Sequence, residues 1–144
     1  MMSIGGISIA SNYAQAVMLD GDPWPGCLQE DRVAVERVGS LYPGKKYCLV
    51  EAWVLLDLFG PEESLKRIRE EGFEPTILYS HRVVFDSRRR VDFGGWIRST
   101  FQLTLSSEGY FETRNTTYIL IGNGFRKRVD LQHIFPLSGR VSEG

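Results

Sequence analysis

The sequence predicts an α+β domain: a curled, largely antiparallel sheet of four or five strands that can close partly into a barrel, covered by two or three helices. Three observations carry that expectation. Residues 60–73 have the charge and capping pattern of an amphipathic helix, everything from residue 76 onward is written in strand-like alternation, and Asn123-Gly124 is the pair preferred in a type I′ hairpin turn. With 144 residues and 42% hydrophobic content, the chain is expected to form a single domain over 1–144 that buries a core without staples. Its termini, 1–10 and 138–144, are expected to be mobile.

Taken in order, "SNYAQAVML" (11–19) predicts a short helix capped by Ser11, and the Pro and Gly of "DGDPWPGC" predict a loop without regular structure. A second helix is expected over 28–39, with Ala34, Val38 and Leu41 on one face, before "YPGKK" turns the chain. "YCLVEAWVLLDLF" (47–59) is apolar with little alternation, which suits a strand buried on both faces. In "GPEESLKRIREEGF", Pro61 suits the first helical position and Glu62 and Glu63 meet the positive end of the helix dipole. Leu65 and Ile68 form its inward stripe, and Gly72-Phe73 reads as a left-handed cap with a Schellman contact back to Ile68.

Beyond residue 76, "TILYSHRVVFD" places Ile77, Tyr79, His81, Val83 and Phe85 on one face. In "WIRSTFQLTL", Ile97, Ser99, Phe101, Leu103 and Leu105 oppose Trp96, Arg98, Thr100, Gln102 and Thr104. "YFETRNTTYILI" is expected to run as one strand into a hairpin pairing 117–122 with 125–130 around Asn123-Gly124.

The run "YSHRVVFDSRRRVDFGGWIRST", followed by "FETRNTTYILIGNGFRKRV", resembles a bacterial family of small proteins classed as a domain of unknown function. The likeness covers residues 46–129 and rests on the "VVFDS" strand, a Gly-Trp-hydrophobic-Arg-Ser/Thr segment and an "ET-x-N-T-x-Y-x-L-x-G" segment. Gly95-Trp96 stands where the family pattern has Asp-Trp. The resemblance implies a bacterial, proteobacterial or prophage-encoded cytoplasmic protein, and no activity, ligand or catalytic residue.

Chemistry has to be sought residue by residue. "GNGFRK" lies between strand patterns and satisfies neither the P-loop nor the dinucleotide fingerprint, and no G-x-S-x-G elbow occurs. Cys27 and Cys48 form no C-x-x-C pair, so buried thiols are expected, with no metal site and no cofactor. For a small enzyme the only candidates are His81, Asp57 and Asp86, with His133 near the tail, and no catalytic residue is assigned. Met1 to Ala10 lacks a positive n-region and no run is long enough for a membrane helix, so a cytoplasmic protein with no membrane partner is expected.

Charge is nearly balanced overall but uneven along the chain. Residues 1–74 carry 7 basic and 12 acidic side chains and residues 75–144 carry 10 and 6. Arg88, Arg89, Arg90, Arg126, Lys127 and Arg128 are therefore the candidate contacts of a nucleic-acid-binding accessory protein. The leading expectation is different: a non-enzymatic binding or protein-interaction module, its partner another protein or a second copy through an unpaired sheet edge. Trp96, Arg98, Arg114 and Tyr118 fall at alternate positions and would line one polar-aromatic face if their strands paired.

Overall fold

The structure is a computed structural model that describes residues 12–135. Ser11 and the two termini expected to be mobile lie outside the described residues. In chain order the elements are α1 (residues 12–16), β1 (Asp22–Trp24), α2 (Asp31–Leu41), β2 (Lys46–Phe59) and α3 (Glu62–Glu70). There follow β3 (Thr76–Asp86), β4 (Ile97–Arg98), β5 (Thr104–Leu105), β6 (Tyr110–Glu112), β7 (Thr116–Leu120), β8 (Gly124–Asp130) and α4 (Leu131–Ile134). All eight strands form one sheet, mixed but mostly antiparallel, that curls into a half-barrel.

The sheet is organised around β2, buried on both faces as its sequence predicts. On one side β3 runs antiparallel along it; on the other, β7 lies parallel to 46–50 and β8 parallel to 54–59. Two successive strands thus follow one long strand end to end. The chain of β4 and β5 spans the open side of the curl, since β4 pairs with β3 while β5 pairs with β6.

The expected Asn123-Gly124 hairpin is therefore absent: β7 and β8 run in the same direction along β2 and do not pair with each other. The hairpin turn lies earlier, at 113–115, between β6 and β7, where the Thr113 hydroxyl donates to the Thr116 carbonyl (3.1 Å) and accepts from the Thr116 N–H (3.2 Å). Gly124 serves another purpose. A Cβ there would lie 2.5 Å from the Trp53 ring, and one at Gly26 would lie 2.7 Å from that ring's far edge. Trp53 is fully buried between these glycines, and its indole N–H donates to the Ile121 carbonyl (3.1 Å) where β7 gives way to β8.

One conformational irregularity makes both faces of β2 useful. Inside the half-barrel lie Cys48 and Val50, then Trp53 and Leu55: the alternation slips by one between the pairs. Ala52, at the slip, has a φ of 51°, an uncommon left-handed conformation for a side-chain-bearing residue. The interior residues of β3 slip too, from Leu78 to Val83, so expecting one face from Ile77 to Phe85 was incorrect. Ile77 and Tyr79 pack outside, Val83 packs inside, and Phe85 is 43% exposed.

Outside the curl, α1 and α4 cover Val54, Leu56 and Leu58 together with Phe125 and Val129 of the neighbouring β8, while α2 covers Leu49, Tyr110 and Ile119 with Ala34 and Val38. Leu41, expected on that helical face, is instead 43% exposed beyond the packed stripe. The C-terminal cap of α3 follows its sequence, Gly72 having a φ of 95° and the Phe73 N–H reaching the Ile68 carbonyl, but Pro61, expected at the first helical position, is the extended residue before it (ψ 134°). Its stripe is only half-buried. Two expectations about strands also change. The Pro-rich loop contains β1, an edge strand where Pro23 sacrifices no inner ladder bond, and 96–105 is broken because Ser99 turns inward to accept the Leu78 N–H (2.8 Å).

Substitution tests the seat of Trp53. Gly124→Ala is expected to cost roughly 1–3 kcal/mol through overpacking. Gly124→Asn, which a left-handed turn would tolerate, should cost at least as much. Urea unfolding checks both, and an Asn variant as stable as the parent would restore the turn.

Candidate functional site

The four residues expected on one polar-aromatic face are not brought together, because β4 pairs with β3 whereas β7 lies between β2 and β6. Trp96 is 59% exposed, with its ring stacked on Tyr79 (centroids 5.7 Å apart, planes at 13°). Arg98 lies over the Phe135 ring at 4.9 Å and Arg114 over Phe73 at 5.4 Å. Tyr118 is fully buried within the half-barrel.

Tyr118 belongs to a polar cluster that the sequence reading did not assemble. Asp86, whose side chain is wholly buried, receives Arg90 Nε (2.9 Å) and Nη2 (3.1 Å) together with the backbone N–H groups of Arg88 and Arg90. Arg90 Nη1 also donates to the Tyr118 hydroxyl (3.3 Å). Burial pushes the Asp86 carboxyl pKa up, but hydrogen bonds and charge from Arg90 outweigh it and hold the value below the usual aspartate range. Burial pushes the Tyr118 hydroxyl up to about 12. The Cys48 thiol also rises to about 12, through burial first and the Asp86 charge second. A thiol held that high is protonated at neutral pH and a poor nucleophile.

The candidate acid–base residues are likewise committed separately. Asp57 takes a bidentate pair of bonds from Arg126 (2.7 and 2.8 Å) and a third from the Thr76 hydroxyl (2.7 Å). His81 Nε2 donates to the Val17 carbonyl (2.6 Å), and His133 lines a shallow groove of about 230 Å³ beside Lys127 and Arg128. Among the described residues no group of His, Cys, Asp and Glu is placed to hold a metal ion. Nor is any helix among them long and apolar enough to cross a membrane.

The two basic triplets differ in how far they are occupied. Arg126 pairs with Asp57 and lies over Trp24 at 4.7 Å, Lys127 pairs with Asp20 (2.5 Å), and Arg128 lies over Phe59 at 4.8 Å. In the other triplet Arg90 is held by Asp86. The Arg88 guanidinium reaches the Thr116 hydroxyl (3.2 Å) and no acid among the described residues, and Arg89, with a φ of 59°, is exposed.

What gathers at the surface instead is aromatic. The Tyr79 ring that carries Trp96 also packs edge-on against Tyr13 (6.4 Å) and His81 (4.8 Å). Phe93, 66% exposed, lies under Arg82 at 4.6 Å. Gly94 and Gly95, which separate Phe93 from Trp96 in sequence, fold back on β3. The Gly94 N–H donates to the Val83 carbonyl (2.8 Å) and the Val83 N–H to the Gly95 carbonyl (2.7 Å). A Cβ at Gly95 would meet Val91 at 2.5 Å, which accounts for glycine there. Phe93 was missed in the sequence; two aromatic residues bracketing a double glycine, "FGGW", were the available signal.

The fold and these placements can be set beside known proteins. Residues 25–136 match the family described as a domain of unknown function (DUF6957), and the chain belongs to that family. No curated protein and no solved structure matches it.

The interior cluster yields two expectations. Because the folded Asp86 pKa lies below that of an unfolded aspartate, its contribution to stability is fully present above pH ~3.9 and is lost as pH falls through the lower folded value. Arg90→Ala should destabilise by roughly 3–5 kcal/mol at neutral pH, leaving a buried carboxylate unpaired, and should flatten that acid limb. Denaturation measured from pH 2 to 7 reads both. Cys48 should resist alkylation by iodoacetamide at pH 8 in the folded protein and react on unfolding; rapid labelling of the folded state would show that the half-barrel opens.

Proposed function

We propose that this domain is a non-catalytic protein-interaction module that docks its partner on the aromatic surface around Trp96. The observation that carries this reading is Trp96 itself. One face of the indole is fixed by stacking on Tyr79 while most of the residue stays in water. An exposed ring already held in place loses little rotamer freedom on binding, and tryptophan with arginine at its margin is typical of the residues that dominate interface energies. Phe93 and the Arg82 guanidinium above it supply that margin.

Two further features favour binding over the alternatives. Asp57, His81 and Asp86 each spend their hydrogen bonds on separate structural partners, which leaves no acid–base pair poised for a reaction. Six arginines, Arg82, Arg90, Arg98, Arg114, Arg126 and Arg128, lie over aromatic rings. That is about three times the usual density of one per 70–80 residues. Of the basic side chains expected to contact nucleic acid, Arg90, Arg126 and Lys127 are already paired with carboxylates, which weighs against a surface of free cations for its phosphates. The sheet edges are poor docking lines, since β1 is short and contains Pro23 and β5 has two residues. The buried, unpaired thiols of Cys27 and Cys48 suit a reducing compartment such as a bacterial cytoplasm.

A photo-crosslinking residue placed at Phe93 and, as control, at Lys66 tests the reading in cells. The Phe93 position should give a discrete crosslinked protein that the Lys66 position does not, and Trp96→Ala should abolish it with melting temperature unchanged. Identical crosslinking from both positions would overturn the proposal. A product of twice the monomer mass containing only this chain would identify the partner as a second copy.

A further inference from the structure

Three cations without an acidic partner among the described residues lie toward one end of the half-barrel. Lys46 opens β2, Arg88 follows the end of β3, and Arg114 sits in the turn between β6 and β7. These positions are far apart in sequence. The sheet joins them: Lys46 pairs with Thr116, two residues beyond Arg114, and Arg88 Nη1 lies 3.2 Å from the hydroxyl of that same Thr116.

Beside them is an open groove of about 590 Å³, within the range of small-ligand sites. Leu41, Tyr42 and Pro43 line it, as do Lys45, Lys46 and Arg114. Its one lining carboxylate, Glu112, is already satisfied. One oxygen takes Lys45 Nζ at 2.6 Å and the other takes the Thr104 hydroxyl at 2.8 Å, with both charged side chains mostly buried. Lys45 and Glu112 therefore cancel. The Lys46 side chain has no ion pair or hydrogen bond among the described residues, and Arg114 meets the Phe73 ring but no acid among them.

We propose that this groove binds a small phosphate-bearing ligand, with the phosphate between Lys46 and Arg114, Arg88 at the rim, and the rest of the ligand against Leu41, Tyr42 and Pro43. Three cations without acidic partners suit a doubly charged phosphate better than a single carboxylate, and a guanidinium can bind phosphate oxygens through two parallel hydrogen bonds. An amphipathic groove further suits an ester with a ring or apolar portion. The basic triplet at 126–128 plays no part: it lies along 55–57 of β2, away from Lys46, and Asp57 and Asp20 already hold Arg126 and Lys127. This site shares no residue with the Trp96 surface, so either can fail alone.

Amide NMR titration of the full chain at low salt tests it, with inorganic pyrophosphate, ATP and a twelve-nucleotide single strand as separate probes. Pyrophosphate or ATP should produce saturable shifts at 44–46 and 114–116. Combined Lys46→Ala and Arg114→Ala should weaken that binding at least tenfold, and Lys66→Ala should leave it unchanged. If the double variant loses its dispersed spectrum, Lys46→Glu at the exposed strand end should give the same loss. Shifts that never saturate, or that survive these substitutions, would overturn the site. Binding by the oligonucleotide without binding by either small probe would do so too, assigning the cations to a nucleic-acid backbone.

Discussion

The seating of Trp53 is the constraint on which the rest of this fold depends. A fully buried indole needs both volume and a partner for its N–H. Here the partner is the Ile121 carbonyl, at the junction where β7 ends and β8 begins. That bond fixes where the chain passes from the first half of β2 to the second. The register against β2 moves by one residue across the junction, from Val50 opposite Leu120 to Val54 opposite Phe125. Gly26 and Gly124 admit the ring on two sides, and the Cys27 backbone ties 26–27 to the same junction through bonds to Leu120 and Gly122. One side chain thus positions three segments distant in sequence.

Ala52 stands next to this tryptophan, and its left-handed backbone exchanges the inward and outward faces of β2 midway. The exchange lets one strand furnish the half-barrel interior along its length while its outer face meets α2 at one end and α1 and α4 at the other. It also explains why the sequence of β2 lacks clean alternation: both faces are apolar, and the period is interrupted.

Electrostatics follows from the same architecture. The curl carries Arg90 inward, where Asp86 and Tyr118 satisfy it, and leaves Arg88 against the Thr116 hydroxyl at the start of β7. In sequence the triplet 88–90 is uniform, yet its members occupy different environments a few ångströms apart. In the triplet at 126–128 two of three charges are paired, because β8 lies beside β2 and delivers Arg126 to Asp57 while Lys127 meets Asp20. An excess of positive charge counted along the second half was therefore a poor guide to charge at the surface.

Local signals were legible wherever neighbouring residues decide the conformation. The α+β class, the doubly buried strand predicted at 47–59, the Gly72 cap of α3 and the burial of the cysteines could all be read from residues within a turn or two of each other. Gly124 was misread because glycine serves both a positive φ and a close approach, and only a tryptophan seventy-one residues earlier distinguishes the two. Trp96 was legible as a candidate, but its support by Tyr79 was not, since the pairing of β3 with β4 brings the rings together. The sequence by itself determined which segments are strands or helices and which residues must leave water. The tertiary structure alone decided which glycine faces a ring, which arginine meets a carboxylate and which cations share the groove, because each depends on the register between strands separated along the chain.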